Sequence, residues 1–225
     1  EQHGGTRLYP LGALTRRLDG KELANLHTLE RAGCVAFSQG DRALMDKRML
    51  LRAMQYAATG GQTLWLRPLD AELGQGVAAS SALALRMGLE GVPEAAETIA
   101  LHSIFALMRE VPAVRVHVQG ISCAASVDLL RSAKAQGLRD LQQAVWRRLC
   151  SQRDRAALQA GLADGTIDAL VSDHTRVNLD GKALPFAQAQ AGARGMELLL
   201  SLTLHWAQNS KLPLAQALAA ISSRA

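Results

Sequence analysis

Aromatic residues are scarce, at 4% of 225 residues. A chain this poor in rings lacks the platforms on which proteins stack unpaired bases. Only three cysteines occur, Cys34, Cys123 and Cys150, far apart and without a CxxC pair, which leaves neither a disulfide framework nor a zinc knuckle. That usage fits a reducing, cytoplasmic setting. No stretch reaches the run of about 18 apolar residues that a bilayer span requires, and the opening EQHGGTRLYP has neither the basic nor the apolar region of a secretory signal. Neither HExxH nor HxH, the compact histidine pairs of many zinc sites, occurs.

What is present is apolar material in a repeating order. Hydrophobic residues make up 48% of the chain, ample for a core. Lys and Arg total 25 against 20 Asp and Glu, for a net charge of +5. The basic residues are scattered, as on a solvated surface, rather than gathered into a nucleic-acid patch. Short apolar runs bounded by Gly, Asp or Pro read as buried strands: CVAFS (34–38), TLWL (63–66), VRVHV (114–118) and IDALVS (167–172). Amphipathic stretches lie between them, at 21–33, 44–61, 93–110 and 124–137, with Gly33, Gly60 and Gly137 placed as C-terminal stops and Pro93 near a first turn. Ser151 is placed to cap a further helix, a long loop runs from Thr175 to Gly195, and two apolar helices close the chain.

With LYPLGAL counted as a strand, six strand-helix units follow one another. Serial alternation of this kind predicts a parallel sheet, either open and doubly wound or closed as a (β/α)8 barrel, and periodicity does not choose between them. One join breaks the rhythm. No apolar run separates the helix ending near Gly137 from the next around Arg153, so a mid-chain strand is expected to be missing.

Several residues invite a chemical reading. GQGVAA (74–79) fits a dinucleotide turn formally, but Pro68 to Leu73 separate it from its strand and no acidic residue closes a neat βαβ unit about 20 residues on; a loop glycine pair is the plainer account. Ser122 or Cys123 in GISCA stands at a strand-to-helix turn, where a nucleophile elbow would put it. Its partners would have to be the adjacent Asp173 and His174, which alternation sends to opposite sides, and a helix-capping serine is the simpler alternative. His117 alternates with valines and is expected inside a strand's packing, and His102 and His205 on helix faces. Asp173 follows IDALV at a strand's C-terminal end, where parallel α/β folds place their chemistry. A turn-capping Asp, or one paired with Arg176, fits the same position equally well.

Taken in order, LYPLGALT (8–15), LERAGCVAFSQG (29–40), GVAASSALALRMGLEGVPEAAETI (76–99), VHVQGISCAASVDLLRSAKAQGL (116–138), GLADGTIDALVSDH (161–174) and PFAQAQAGARGMELLL (185–200) resemble dihydroorotase of the cyclic amidohydrolase superfamily. The resemblance implies a single amidohydrolase-like (β/α)8 TIM barrel over residues 1–225, incomplete because the first barrel strand, with its HxH pair, and one mid-chain strand are wanting. It also implies a binuclear zinc centre at the strand ends, whose bound hydroxide opens the cyclic amide of dihydroorotate. Carried over one at a time, the family's histidines fall on Arg67, Gly120 and, in the loop after the late aspartate, Val177; Asp173 alone survives as metal ligand and proton shuttle. A guanidinium in a ligand position opposes a divalent cation: at an effective dielectric near 20, like charges about 4 Å apart differ by several kcal/mol from an attractive pair. The expectation is therefore a metal-free, noncatalytic dihydroorotase-like chain of pyrimidine biosynthesis. Its implied partner is the aspartate transcarbamoylase catalytic chain, with the apolar terminal helices as a candidate contact surface. The alternative is an active zinc-dependent dihydroorotase or related cyclic amidohydrolase whose ligands lie in segments outside this sequence.

Overall fold

A computed structural model of the chain describes residues 7–43, 46–138, 141–145 and 151–224. Alternation in the central strands decides the architecture. In β3 (Thr63–Leu66), Leu64 and Leu66 are buried while Thr63 and Trp65 are half-exposed on the other face. In β6 (Arg115–Ile121), Val116 and Val118 take the buried side, and register pairs Leu64 with Val116 and Trp65 with His117. Side chains on one face of a strand recur every second residue, so these pairings build one continuous apolar face and one mixed face.

Six strands form a single sheet in the order β1 (Leu11–Ala13), β2 (Ala36–Ser38), β3, β6, β7 (Leu141–Val145), β8 (Ala169–Leu170), and every neighbouring pair is parallel. Between β3 and β6 an excursion carries a separate parallel pair, β4 (Ala78–Ala79) with β5 (Gly91–Val92), and a short helix α3 (Ala82–Arg86). The crossovers are α1 (Leu26–Arg31), α2 (Lys47–Gly60), α4 (Ala95–Glu110), α5 (Ala124–Ala135) and α6 (Gln152–Asp164). After β8 come α7 (Leu179–Ala183), α8 (Leu199–Asn209) and α9 (Leu214–Ala219).

The core lies between the sheet's apolar face and the helices. Phe37, Leu64, Leu66, Val116 and Val118 from the strands meet Leu50, Met54, Leu101, Ile104, Val127 and Leu130 from α2, α4 and α5 in one cluster. Each such side chain contributes about 1.5–3 kcal/mol on full burial. Helix starts use the polar residues that the pattern supplied: Asn25 accepts from Thr28 N–H at 3.1 Å, Asp46 from Arg48 N–H at 2.8 Å and Asn178 from Gly181 N–H at 2.8 Å. Ser151 caps α6 as expected, in a reciprocal box with Asp154. The left-handed stop of α2 is Gly61 (φ 66°), one residue beyond the expected Gly60.

Two expectations need correction. The strand expected to be missing is present as β7, hydrogen-bonded to β6 on one side and β8 on the other. LQQAV carries two glutamines and makes no apolar run, but a central parallel strand is defined by its backbone ladder, which any side chain permits. Residues 175–195 are not wholly loop, since α7 lies within them. The sheet is an unclosed (β/α) barrel wall, with β1 and β8 at its two ends.

Candidate functional site

The C-terminal ends of β2, β3, β6 and β8 converge on one side of the sheet. Arg67 directly follows β3, and its guanidinium Nη1 donates to the Asp41 carbonyl in the turn after β2. Gln119, inside β6, donates through Nε2 to the Gly40 carbonyl at 3.2 Å, so two neighbouring strands grip the same turn. Gly40 (φ 64°) supplies the left-handed step that exposes both carbonyls. Gly120 sits at a bulge in the β6–β7 ladder with φ 81°.

Asp173 stands three residues beyond β8 in a left-handed conformation, φ 44°. Burial raises its carboxyl above the ordinary carboxylate range; the negative charge of Asp41 adds to the rise, and the positive charge of Arg67 works against it. Arg67, Asp41 and Asp173 therefore share one electrostatic environment. Sequence reasoning brought Arg67, Gly120 and Asp173 to this end of the fold but missed Asp41 and Gln119, whose only sequence signal is that each lies at or just past a strand end. The Val177 side chain lies against Gly192 (φ 137°), where a β-carbon would come within 2.9 Å of it.

His174 is a fastener. Its Nδ1 accepts from Gly195 N–H at 3.2 Å and Met196 N–H at 3.3 Å, tying the loop after β8 to the segment before α8. His117 is buried and stacks on Trp65 with ring centroids 4.2 Å apart. His102 and His205 lie exposed on helix faces, as the pattern implied.

The nucleophile reading of GISCA does not survive. Ser122 offers its N–H to both oxygens of Glu97, at 3.0 and 3.1 Å, and its hydroxyl to Oε2 at 2.5 Å. Cys123 N–H points to the same carboxylate at 3.3 Å, and burial, followed by the Glu97 charge, pushes the thiol up to about 12. Ser122 is not the cap either: Cys123 holds the N-cap position of α5 without a side-chain capping bond, and carboxylates from two other helices do the capping. Glu97 comes from α4; Asp154, from α6, accepts Ala124 N–H at 2.8 Å. Both are buried, and the macrodipole at a helix start favours their charge. GQGVAA, for its part, runs into β4 rather than into a helix, so it is not a phosphate turn.

The residues at the strand ends do not fit a binuclear zinc centre. Such a centre requires several imidazole and carboxylate donors around each ion. Among the described residues no three His, Cys, Asp or Glu side chains gather to hold a metal, and a guanidinium stands beside the two carboxylates that are close.

A parallel β/α wall with its polar constellation at the strand ends is the architecture of part of a (β/α)8 barrel. No family model matches the sequence. The chain is 33% identical to the dihydroorotase-like protein of Pseudomonas aeruginosa over 97% of its own length and 56% of that protein. It is 33% identical to the dihydroorotase of Desulforapulum autotrophicum over 93% of this chain and 54% of that one. Among solved structures, the L-hydantoinase of Arthrobacter aurescens superposes with a TM-score of 0.74 at 18% identity, covering 95% of this chain and 54% of that enzyme. These relatives make the chain a homologue of dihydroorotases and dihydroorotase-like proteins, and it spans about half the length of the relatives it matches.

Proposed function

We propose that this chain is a noncatalytic dihydroorotase-like protein of pyrimidine biosynthesis, which acts by supporting assembly of the aspartate transcarbamoylase catalytic chain. One observation carries the reading: Arg67, at a position where the family presents a histidine, lies close enough to Asp173 and Asp41 for its charge to bear on the Asp173 carboxyl. A fixed cation there neutralises the carboxylates that would otherwise attract a divalent ion, and opposes the ion itself. Asp173 is then a retained member of a dismantled ligand set. The helices are tied together by capping carboxylates that involve neither Arg67 nor Asp173, which supports a role for the folded surface rather than for the strand ends.

The test measures two quantities on one preparation. Purified chain is assayed for ring-opening of dihydroorotate with and without added zinc, and its metal content is determined. Separately, it is mixed with aspartate transcarbamoylase catalytic chains and the mixture is sized by light scattering. The expected result is no turnover above the uncatalysed rate, no stoichiometric zinc, and a heteromeric complex. Chelator-sensitive turnover with zinc bound would establish the active amidohydrolase instead.

A further inference from the structure

A cavity of about 570 Å³ opens beside the capping carboxylates, and it shares no residue with the Arg67–Asp173 constellation. Its floor is the start of α5, with Ser122 and Cys123 held by Glu97, and Ser151 held by Asp154. Its walls are apolar, including Ala84, Leu89 and Val92 from the excursion between β3 and α4. Leu83 and Phe186 stand at the mouth, both exposed. The volume is within the range of sites that enclose small organic molecules, roughly 300–1,000 Å³.

Charge decides what such a site takes. Three lining residues are acidic, Glu94, Glu97 and Asp154, and none of the lining is basic. Among the described residues neither Glu97 nor Asp154 is in an ion pair; each accepts hydrogen bonds from neutral N–H, O–H and S–H groups, and the charge of Arg153, which is not part of the lining, bears on Asp154. Neutral donors satisfy lone pairs but leave the net negative charge in place. A ligand that presents a cation to this floor gains attraction in a half-desolvated setting, whereas an anion meets repulsion.

We propose that this cavity is a binding site for a small amphiphilic cation, an ammonium or amidinium head on an apolar body of roughly ten carbons. The head lies toward Glu97, Asp154 and Glu94, and the body against Ala84, Leu89 and Val92. This site is independent of the assembly role proposed above.

The experiment uses the 225-residue chain and three matched probes: 4-phenylbutylammonium, 4-phenylbutanol and 4-phenylbutyrate, each titrated while amide resonances are followed by NMR. Saturable binding of the ammonium is expected at least about tenfold tighter than that of the alcohol, with the carboxylate weakest. Leu83→Arg and Glu94→Gln alter exposed positions at the mouth, where the fold is not at stake. The first, which puts a guanidinium at the entrance, is expected to weaken the ammonium about tenfold, and the second about threefold. Equal affinity for alcohol and ammonium, no saturable binding of the ammonium, or ammonium binding unchanged in Leu83→Arg each overturn the proposal.

Discussion

At the scale of single residues, the strand ends are governed by charge and by backbone conformation. Because burial and Asp41 raise the Asp173 carboxyl, its ionisation is more costly in the folded chain than in the unfolded one. That cost is absent below the ordinary value of 3.8 and is incurred as pH rises through the higher folded value. Asp173→Asn is therefore expected to raise the melting temperature at pH 7 by about 1 °C, and the gain is expected to vanish near pH 3 in the same scan. Gly120 sets a different limit. At φ 81° a β-carbon is disfavoured, so Gly120→His, which would restore a family histidine, is expected to cost about 1–3 kcal/mol in urea unfolding. Arg67, just past β3, and Gly120, near the end of β6, were singled out by the family resemblance of the stretches around them. Asp41 was illegible, because nothing local says that a turn after one strand faces a residue after another.

Among the elements, the strongest polar fastening joins three helices. Asp154 accepts from Ala124 at the start of α5 and from Ser151 at the start of its own helix, α6, while Glu97 of α4 takes the neighbouring donors. Burial works to raise the Asp154 carboxyl, but the hydrogen bonds from Ser151 and Ala124 outweigh it and hold it below the ordinary range. Asp154→Ala leaves those donors unsatisfied and is expected to cost about 2–3 kcal/mol in chemical denaturation. Its lowered value makes the contribution present above pH 3.8 and lost as pH falls further, so the gap between wild type and variant is expected to close in acid. The serine cap and the amphipathic helices were legible because periodicity and capping are local. The doubled carboxylate cap was not, since it joins residues 25 to 30 apart in sequence, and β7 escaped because LQQAV has a strand's backbone without a strand's composition.

For the whole molecule, the sheet ends matter most. Among the described residues β1 pairs on one side only, and Leu8, Tyr9 and Leu11 near it are exposed. An open parallel edge with apolar neighbours is a template for further pairing. Leu11→Lys is expected to reduce concentration-dependent self-association of the isolated chain, as read by light scattering. β8 differs, because the Ala220 carbonyl accepts from Leu170 N–H at 2.8 Å and draws the chain after α9 against that strand. The serial β/α order was legible except at β7, but where the wall stops was not, since closure depends on strand count and tilt rather than on any one segment. The rim-side carboxylate knot also separates two kinds of selection. Since the tie among α4, α5 and α6 uses neither Arg67 nor Asp173, replacements at those two positions leave its hydrogen bonds in place, and a lineage can let its reaction centre drift for as long as the outer ring endures.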